Sequence, residues 1–457
     1  MSDGFRDHIA TVDNQGGRIW IYPRHIWGRY LSRRRWVAHA LLVFLFAGPW
    51  VRIGGEPMLL MNILERRFVI LGQVFWPQDT FIFALAMLTF IVAVMVFTVV
   101  FGRLFCGWIC PQTIFMEMVF RPIERLIEGD APARRRLDAA PWSRKKAFKK
   151  GLKWSLFFVL SFSIANTFLA YIIGSEALVE IMTDPPSQHL GGLVAITIFS
   201  VVFFWVFARL REQVCTTICP YGRLQGVLID RDTVGVAYDT YRGEPRGPVK
   251  QLAAGDCVDC SLCVQVCPTG IDIRDGLQLE CVHCTACIDA CDDIMVKLGR
   301  KKGLIRYASE RSLEEKTPFH LTTRARAYMA VLLALIGVLT TLVIVRSDVE
   351  LHVLRAQGMV YQLHDDRTVS NLYHFTLVNK TADSLLIEMR SRDPRFHLDI
   401  VGATNSTYLY PEDMLDGVMF IVAHRDSIDR GRSALRIEAY SNGECLSKTK
   451  TEFPAPY

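Results

Sequence analysis

The stretch CVDCSLCVQVCPTG (Cys257–Gly270) and the run CVHCTACIDAC (Cys281–Cys291) that follows it decide how this sequence folds. In each run three cysteines are separated by two residues, and a fourth follows after three more. This spacing suits three corners of a 4Fe–4S cube, and in two-cluster ferredoxins the fourth cysteine ligates the cluster of the other run. The sequence therefore predicts two 4Fe–4S clusters, one held by Cys257, Cys260, Cys263 and Cys291 and the other by Cys281, Cys284, Cys287 and Cys267.

Zinc is the alternative for cysteines at such short spacings. A structural zinc site needs only two CxxC pairs, so a pair of zinc sites would leave some of these thiols without a role. Asp292 stands where the ferredoxin pattern has a proline, and that position supplies no ligand. His283 lies inside the second run, but the ligand places are already filled, so we expect it to be a neighbour of the cluster and not a ligand.

Long apolar runs account for the 51% hydrophobic content and the positive mean hydropathy of the 457 residues. Four runs carry no charge and are long enough to cross a bilayer, and a fifth is shorter and contains His39. The basic stretch Met1–Arg35 has no early apolar core, so no cleavable signal peptide is expected. The sequence thus predicts five transmembrane helices, at Trp36–Val51, Phe81–Phe101, Trp154–Gly174, Leu190–Ala208 and Ala327–Val345.

Basic residues gather beside these runs, so the net charge of +6 indicates membrane topology and not nucleic-acid binding. Twelve Lys and Arg residues lie in Gly102–Lys153, whereas Ser175–His189 has none. Thirteen cysteines also favour a reducing compartment. We therefore expect the N-terminus, the basic loop and the two cysteine runs on the cytoplasmic face, and the C-terminus outside.

Two charged segments beside the spans have simple expected positions. Arg33–Arg35 precedes the first span and is expected among lipid headgroups. Met58–Leu71 mixes apolar and charged residues, which predicts a helix lying in the membrane interface. Mixed charges at helical spacing farther along predict a helix face in contact with solvent or headgroups, with the carboxylates Glu117, Glu124 and Glu128.

A CxxxCP motif ends both the second and the fourth predicted span, which indicates an internal duplication. Cysteines four residues apart share one helix face, and the following proline suits the start of a new helix. Four thiols converging at the membrane edge could bind a soft ion such as Cu(I), cycle between dithiol and disulfide, hold a further cofactor, or simply fill space. These four thiols are Cys106, Cys110, Cys215 and Cys219.

The tail beyond Arg346 is rich in short apolar segments separated by turn residues. At least five strands are expected within about 110 residues, which is typical of a β-sandwich of immunoglobulin type. It lacks a pair of cysteines, and Cys445 has no partner in it. The predicted strands include Tyr373–Val378, Leu385–Met389, Phe396–Ile400, Val418–Ala423 and Leu435–Tyr440.

With these parts in order, the chain resembles the FixG/RdxA/CcoG proteins, which are accessory proteins of cbb-type cytochrome oxidase. The resemblance rests on the five spans, the twin CxxxCP ends, the doubled cluster pattern and the sandwich tail, and it covers nearly the whole chain. It implies a bacterial inner-membrane protein that reduces Cu(II) to Cu(I) for the oxidase copper site. Copper ions, oxidase subunits and copper chaperones are the partners that it implies, with the four CxxxCP cysteines as the catalytic and copper-binding residues.

The residues alone reach only membrane-tethered electron transfer, and two other functions stay open. A quinol-linked electron relay similar to NapH would use the same thiols near a quinone. A non-enzymatic assembly scaffold would bind oxidase subunits through its β-sandwich. The electron donor is not identified, and no Gly-rich nucleotide fingerprint argues for flavin or nicotinamide.

The expected order of parts is a multi-domain membrane protein with an inserted ferredoxin-like domain. It comprises a cytoplasmic N-terminus (1–35), a four-span membrane domain (36–220), a cytoplasmic two-cluster domain (221–326), a fifth span (327–345) and a periplasmic Ig-like domain (346–457).

Overall fold

The computed structural model describes residues 10–455 except 14, 63–66, 71, 76–79, 250–254, 319, 346, 357, 359–360, 365–366, 382, 403–405, 411–412 and 429–430. The chain divides into two compact units, Met1–Val338 and Leu339–Tyr457. The first unit holds the apolar helices and the two cysteine runs, and the second is made of β-strands.

Helices dominate the first unit. In chain order they are α1 (Arg29–Ala47), α2 (Thr80–Phe101), α3 (Leu104–Trp108), α4 (Pro111–Ile114), α5 (Arg121–Glu128), α6 (Ala131–Ala139), α7 (Arg144–Ile173), α8 (Ser175–Thr183), α9 (Leu190–Trp205), α10 (Pro220–Leu228), α11 (Thr240–Gly243), α12 (Leu262–Gln265), α13 (Ala286–Lys297), α14 (Glu310–Glu314) and α15 (Thr323–Ile344). Turns of π-helix continue α4 at Phe115–Phe120, follow α9 at Val206–Leu210 and precede α10 at Val214–Ile218.

Four helices in the described part of the chain are long and apolar enough to cross a membrane. They are Phe81–Phe101, Arg144–Ile173, Leu190–Leu210 and Thr323–Ile344, which confirms four of the predicted spans at this level. The fifth prediction, Trp36–Val51, falls mainly in α1, which is helical but begins at Arg29 and includes Arg33–Arg35. The arginines in the first turns of α1 make it too charged to count among the four helices that could cross a membrane, so a fifth span is not confirmed.

Aromatic side chains fix the π-helical turn Phe115–Phe120 against the middle of α7 and the π-helical turn that follows α9. Phe120 is fully buried and stacks on Phe207, with ring centroids 4.6 Å apart. It also meets Phe157 edge-to-face at 4.8 Å. Because aromatic pairs of this kind add to the free energy gained by burial, the segment after the first CxxxCP motif is held rigidly.

The predicted interfacial helix at Met58–Leu71 is wrong, because the structure has β-strands there. Short strands β1 (Arg52–Ile53) and β2 (Glu56–Pro57) pair with each other, and β3 (Leu59–Asn62), β4 (Arg67–Ile70) and β5 (Gln73–Phe75) form an antiparallel sheet. Leu60 pairs with Val69 across β3 and β4, and both side chains are buried together. Alternate apolar residues of a strand therefore face the protein, a period-two pattern that the mixed composition concealed. The proline of Trp76–Pro77 also predicts a break in the chain before the second span, but these residues lie outside the described ones.

The two cysteine runs surround a small buried core of the first unit. Strands β6 (Gly235–Tyr238) and β7 (Ile305–Ala308) pair antiparallel on either side of them in the sequence. Val236, Ile273, Ile288 and Leu304 are buried with several of the cysteines. The apolar core is therefore small, as expected where a cofactor takes part in stabilising a domain.

The second unit is a sandwich of two antiparallel sheets, as the sequence predicts. Tyr373, Ile421, Ile437 and Phe453 are almost completely buried between the sheets. All five predicted strands are confirmed, and the described part of the sandwich contains four further strands that were not predicted. One sheet contains β8 (Val349–Arg355), β9 (Gln362–His364), β10 (Thr368–Asn379), β12 (Phe396–Ile400) and β14 (Met414–His424), and the other contains β11 (Leu385–Ser391), β13 (Ser406–Leu409), β15 (Arg432–Ser441) and β16 (Glu444–Pro454).

Candidate metal centres

The first predicted cysteine quartet lines one cavity. The loop before α12 and the helix itself supply three of its members, and α13 supplies the fourth. Tyr238, Ile294 and Met295 complete much of the apolar wall. The members are Cys257, Cys260, Cys263 and Cys291. The structure thus brings the fourth cysteine of the second run to the first run, the crossed arrangement that the ferredoxin pattern predicts.

The second predicted quartet lines a neighbouring cavity. Its members, Cys267, Cys281, Cys284 and Cys287, surround a space whose wall also includes Cys263 of the first quartet. Cys263 therefore touches both cavities, which places them side by side. Cys281 and Cys284 are buried, whereas Cys260 of the first cavity is exposed. The first cavity is thus the one closer to solvent.

Matching left-handed residues turn the chain within both runs. Asp259 and Ser261 flank the second cysteine of the first run with φ of 50° and 52°. His283 and Thr285 flank the second cysteine of the second run with φ of 52° and 68°. Such conformations are uncommon for residues other than glycine, and they persist where the surrounding structure requires them. The shared geometry shows that the two runs are structural repeats.

Burial makes the thiols of these cavities hard to ionise. It raises the pKa of Cys284 to about 11, and the pKa of Cys263 and Cys291 to about 12. Thiolates are the form that binds metal, so a bound cation must compensate for the lost hydration. Two cavities, each lined by one of the predicted cysteine quartets, fit this requirement. The assignment of each cysteine as a cluster ligand stays a prediction.

The four CxxxCP cysteines lie near one another, within or directly before short helical segments. Cys106 is in α3, and Cys110 and Cys219 immediately precede the prolines that begin α4 and α10. Burial raises the pKa of Cys110, and nearby Cys106 and Cys219 raise it further. Burial likewise raises the pKa of Cys215 to about 12, with Cys110 and Cys106 adding to the effect. We call these residues the thiol quartet.

Each half of the duplication places a polar side chain beside a cysteine of the other half. The Sγ of Cys106 lies 3.5 Å from Oε1 of Gln225, and the hydroxyl of Thr113 lies near Cys215. Nε2 of Gln225 and Oγ1 of Thr113 are buried without a hydrogen-bond partner among the described residues. Orphaned polar atoms of this kind are expected where a further group binds. Nevertheless, no three Cys, His, Asp or Glu side chains within the described ranges converge as tightly as one metal ion needs.

The thiol quartet contacts the second cluster cavity directly. Cys106 packs with Val282 and Cys284 in one buried group. The backbone of Gly107 is so close to this loop that a Cβ at Gly107 would lie 2.3 Å from the carbonyl oxygen of Val282. Only a residue without a side chain fits there, so glycine allows the two cysteine sets to approach.

Two buried arginines join the same parts. Nε of Arg34 donates to the carbonyl oxygen of Gly107 at 2.6 Å, and its Nη1 donates to that of Cys284 at 3.4 Å. Arg103 donates to Gln225 and to the backbone carbonyls of Leu279 and Cys215. Arg34 is only 4% exposed, so its predicted place among lipid headgroups is wrong. The sequence Arg33–Arg35 does not indicate that the side chain of Arg34 is buried.

His283 is a neighbour of the second cavity, as the sequence predicts, but it also has a packing role. Its ring lies against Gly102, where α2 ends, and against Gly235 at the start of β6. Burial lowers the pKa of His283 to about 4, with the charge of Arg103 acting in the same direction. Its backbone carbonyl accepts from Tyr307, whose hydroxyl in turn accepts from Trp108 Nε1 at 3.1 Å. A neutral histidine therefore packs the cluster loop against the end of α2.

The prediction of a solvated face for the carboxylates after the first CxxxCP motif is wrong for Glu124 and Glu128. Both residues are 3% exposed. Glu124 accepts two hydrogen bonds of 2.9 Å from Arg211 and one of 2.6 Å from Arg134. Burial raises the pKa of Glu124, but Arg211, Arg134 and Lys153 outweigh it and hold the pKa well below its usual range. The charges pair with basic residues from other helices, which local spacing does not reveal.

Three family models match separate parts of the chain. A model described as a 4Fe-4S dicluster domain matches residues 210–310, and a 4Fe-4S binding domain matches residues 83–129. A model for the Ig-like fold at the C-terminus of FixG matches residues 339–456. The predicted two-cluster domain and Ig-like domain are thereby confirmed as domain types.

Known proteins also align over much of the chain. Protein RdxA of Cereibacter sphaeroides is 34% identical over 398 residues, which cover 84% of this chain and 82% of RdxA. Protein RdxB of the same organism is 34% identical and covers 80% of each chain. Nitrogen fixation protein FixG of Rhizobium meliloti is 36% identical over 306 residues, or 63% of this chain and 57% of FixG.

Proposed function

The chain belongs to the family of RdxA, RdxB and FixG, and from this membership we propose that it reduces Cu(II) to Cu(I) during assembly of a cbb-type cytochrome oxidase. At a coarser level it is a membrane-associated iron–sulfur electron-transfer protein of the FixG/Rdx type. The observation that carries the proposal is the packing of Cys106 and Gly107 on the loop of Val282–Cys284. This contact connects a thiol site to an iron–sulfur site.

Eight cysteines would hold two 4Fe–4S clusters, in the crossed quartets that line the two cavities. When bound, such clusters supply one-electron transfer. The electron donor would dock at the first cavity, where Cys260 is exposed. Electrons would then pass from the first cavity to the second at their shared wall, Cys263. From the second cavity they would reach the thiol quartet through the contact of Cys284 with Cys106.

Copper is the substrate that the thiol quartet suits. Cu(II) prefers nitrogen and oxygen ligands, whereas Cu(I) is held by soft thiolates, so the quartet favours the reduced product. Each Cu(II) takes up one electron, which the external donor ultimately supplies. The four thiols do not converge tightly enough to hold one metal ion, so copper binding would draw them closer together. The pKa raised by burial at Cys110 and Cys215 means that binding would also release protons.

The ferredoxin-like part and the start of α1 would lie on the same, cytoplasmic side of the inner membrane. The backbone amides of Tyr30 and Leu31 donate to the carboxylate of Asp289 in α13, at 3.1 and 2.8 Å. Asp289 thus satisfies amides in the first turn of α1 that have no partner within the helix. This attachment agrees with a cytoplasmic start of α1. We further propose that α1 is the first of five spans, with the domain limits predicted above and a periplasmic Ig-like domain, because basic residues are concentrated on one side of the spans.

A second candidate is an electron relay in which the thiol quartet holds another iron–sulfur group. The 4Fe-4S binding model over residues 83–129 favours it, since that range contains Cys106 and Cys110. The two orphaned polar atoms at Thr113 and Gln225 agree with a bound group at this place. In this case copper would not be the substrate.

Anaerobic addition of Cu(II) to the reduced, purified protein distinguishes these candidates. A chromogenic Cu(I) chelator should report one Cu(I) for each electron stored if copper is the substrate. No Cu(I) above a protein-free control would exclude the reductase.

A further inference from the structure

A large cavity lies apart from all twelve cysteines discussed above. Its volume is about 600 Å³, and it is lined by the N-terminal segment, α5, α6, the first turns of α7, the end of α9 and the turn that follows α9. Trp20, Trp142 and Trp154 contribute aromatic surface, and Phe204 and Ala208 contribute apolar surface from the span. The cavity therefore lies where an apolar helix surface meets a charged one.

Positive charge exceeds negative charge in the lining. Two carboxylates, Glu124 and Asp138, face six cations. Most of the cations pair with these carboxylates or with Glu128 behind them. The six are Arg134, Lys146, Lys150, Lys153, Arg209 and Arg211. The surplus favours an anionic occupant.

Lys146 and Arg209 carry this surplus. Among the described residues neither is paired with a carboxylate. Nζ of Lys146 donates only to the backbone carbonyls of Asp138 and Ala140, at 2.9 and 2.5 Å. Arg209 has its guanidinium over the ring of Trp20, 5.2 Å from the centroid. Lys146 is 7% exposed, so its charge has little water to stabilise it.

We propose that this cavity binds the phosphate of an anionic phospholipid, with the acyl chains lying along α9. The inference rests on the membrane-spanning part of the proposed function, not on copper reduction. Lys146 and Arg209 lie at the ends of two candidate spans, where lipid phosphates are found. Trp154 is half-exposed beside them, as tryptophans at the membrane interface commonly are. The apolar wall of Phe204 and Ala208 can contact acyl chains. A free phosphate ion has the negative charge of the lipid headgroup but no apolar part, so the cavity suits a lipid better.

Native mass spectrometry of the full chain, stripped of lipid in detergent, tests this. Phosphatidylglycerol and phosphatidylcholine with the same acyl chains are titrated separately, and inorganic phosphate is added as a competitor. We expect tighter binding of phosphatidylglycerol. Removing the charges of Lys146 and Arg209 should weaken that preference by about fivefold per cation.

The test uses the double variant K146Q/R209Q and the single variant R209Q. R209Q should disturb folding least, because Arg209 is exposed. Lys145→Gln is the matched control, since Lys145 is exposed on the same turn of α7 and does not line the cavity. Equal binding of the two lipids, displacement by millimolar phosphate, or an equal loss in the Lys145→Gln control would overturn the proposal. Copper reduction in K146Q/R209Q should equal that of the parent, so the two proposals fail separately.

Discussion

Cys106 and Cys284 pack in one buried group, although one follows a predicted span and the other belongs to the ferredoxin-like run. Arg34 reinforces the contact by donating to the carbonyls of both Gly107 and Cys284. Two cysteine sets that are far apart in the sequence are thus joined by side-chain packing and by hydrogen bonds.

Substituting Gly107 should separate the two sets without removing any thiol. In G107A the new Cβ would meet the carbonyl oxygen of Val282 at 2.3 Å, so one backbone must shift. Overpacking of this kind costs about 1–3 kcal/mol. Copper reduction should fall while iron content stays unchanged, as measured by Cu(I) formation and by iron analysis.

Gly151→Ala is the matched control for G107A. Gly151 lies in α7, and a Cβ there meets nothing within 4 Å. Alanine favours a helix over glycine, so this variant should be as active as the parent and slightly more stable. Unchanged copper reduction in G107A, with iron intact, would show that close contact at Gly107 does not matter for electron transfer.

Cys291→Ala should remove the cluster of the first run. The parent should bind about eight irons per chain when assembled anaerobically, and the variant about four. Cys291 lines the cavity of Cys257, Cys260 and Cys263, so the loss should concern that cluster despite the distance in sequence. Iron and labile-sulfide analysis measures the loss, and Cys445→Ala in the second unit is the control. Stoichiometric zinc without sulfide would contradict both cluster assignments.

Regular patterns made much of this structure predictable from the sequence. Charge-free length identified the four candidate membrane helices, and fixed cysteine spacing identified the two quartets that line two cavities. Alternating apolar residues gave the central sandwich strands, but β16, whose sequence ECLSKTKTEFP is mostly polar, gave too weak a signal. Local periodicity reports which face of an element is buried, and it sufficed for the five predicted sandwich strands.

Contacts between distant segments were not predictable in this way. The Arg34 side chain donates to the carbonyls of Gly107 and Cys284. Nothing in the neighbouring sequence indicates that Arg34, and not Arg33 or Arg35, makes these contacts. Glu124 has a spacing typical of a surface helix, yet Arg211 reaches it from the end of another span. A buried charge is stable only when its partner is present, and the partner is fixed by the tertiary structure.

Reporter fusions test the proposed topology. A reporter active only outside the cytoplasm should work within Ser175–His189 and after the Ig-like domain, and should fail within Arg134–Lys150. The asymmetry of basic residues across these loops is the physical reason. A cytoplasmic reporter at the same positions should give the reverse pattern. Activity of the outside reporter within Arg134–Lys150 would invert the proposed orientation.

Glu124→Gln should destabilise the first unit strongly. It removes one negative charge and leaves Arg211, Arg134 and Lys153 without their shared partner, at a cost of about 3–5 kcal/mol. The pKa of Glu124 is held below that of the unfolded chain, so its stabilisation is complete above about pH 4.3. That stabilisation is lost as the pH falls toward the depressed folded pKa. Thermal unfolding at neutral pH measures the effect, and Glu180→Gln, at an exposed site in α8, should leave stability unchanged.

Changing the thiol quartet to serine separates the two candidate functions. The variant C106S/C110S/C215S/C219S keeps all eight cysteines of the two cavities, so about eight irons should remain. Copper reduction should fall by more than tenfold, because serine oxygen binds Cu(I) poorly and cannot cycle as a thiol. If the quartet instead holds another iron–sulfur group, the parent should contain about twelve irons and the variant about eight.

The decisive measurement compares parent and quadruple-serine protein at equal cluster content. Absorbance and iron analysis establish that content before copper is added, so a slower rate cannot be attributed to missing clusters. Cys445→Ser controls for the loss of an unrelated thiol, since Cys445 lies in the second unit. Equal rates of Cu(I) formation in parent and quadruple variant would show that copper is reduced elsewhere, even if the protein is a reductase. A lower rate with unchanged iron would show that copper reduction needs the thiol quartet, as expected if electrons leave the second cavity through the contact of Cys284 with Cys106.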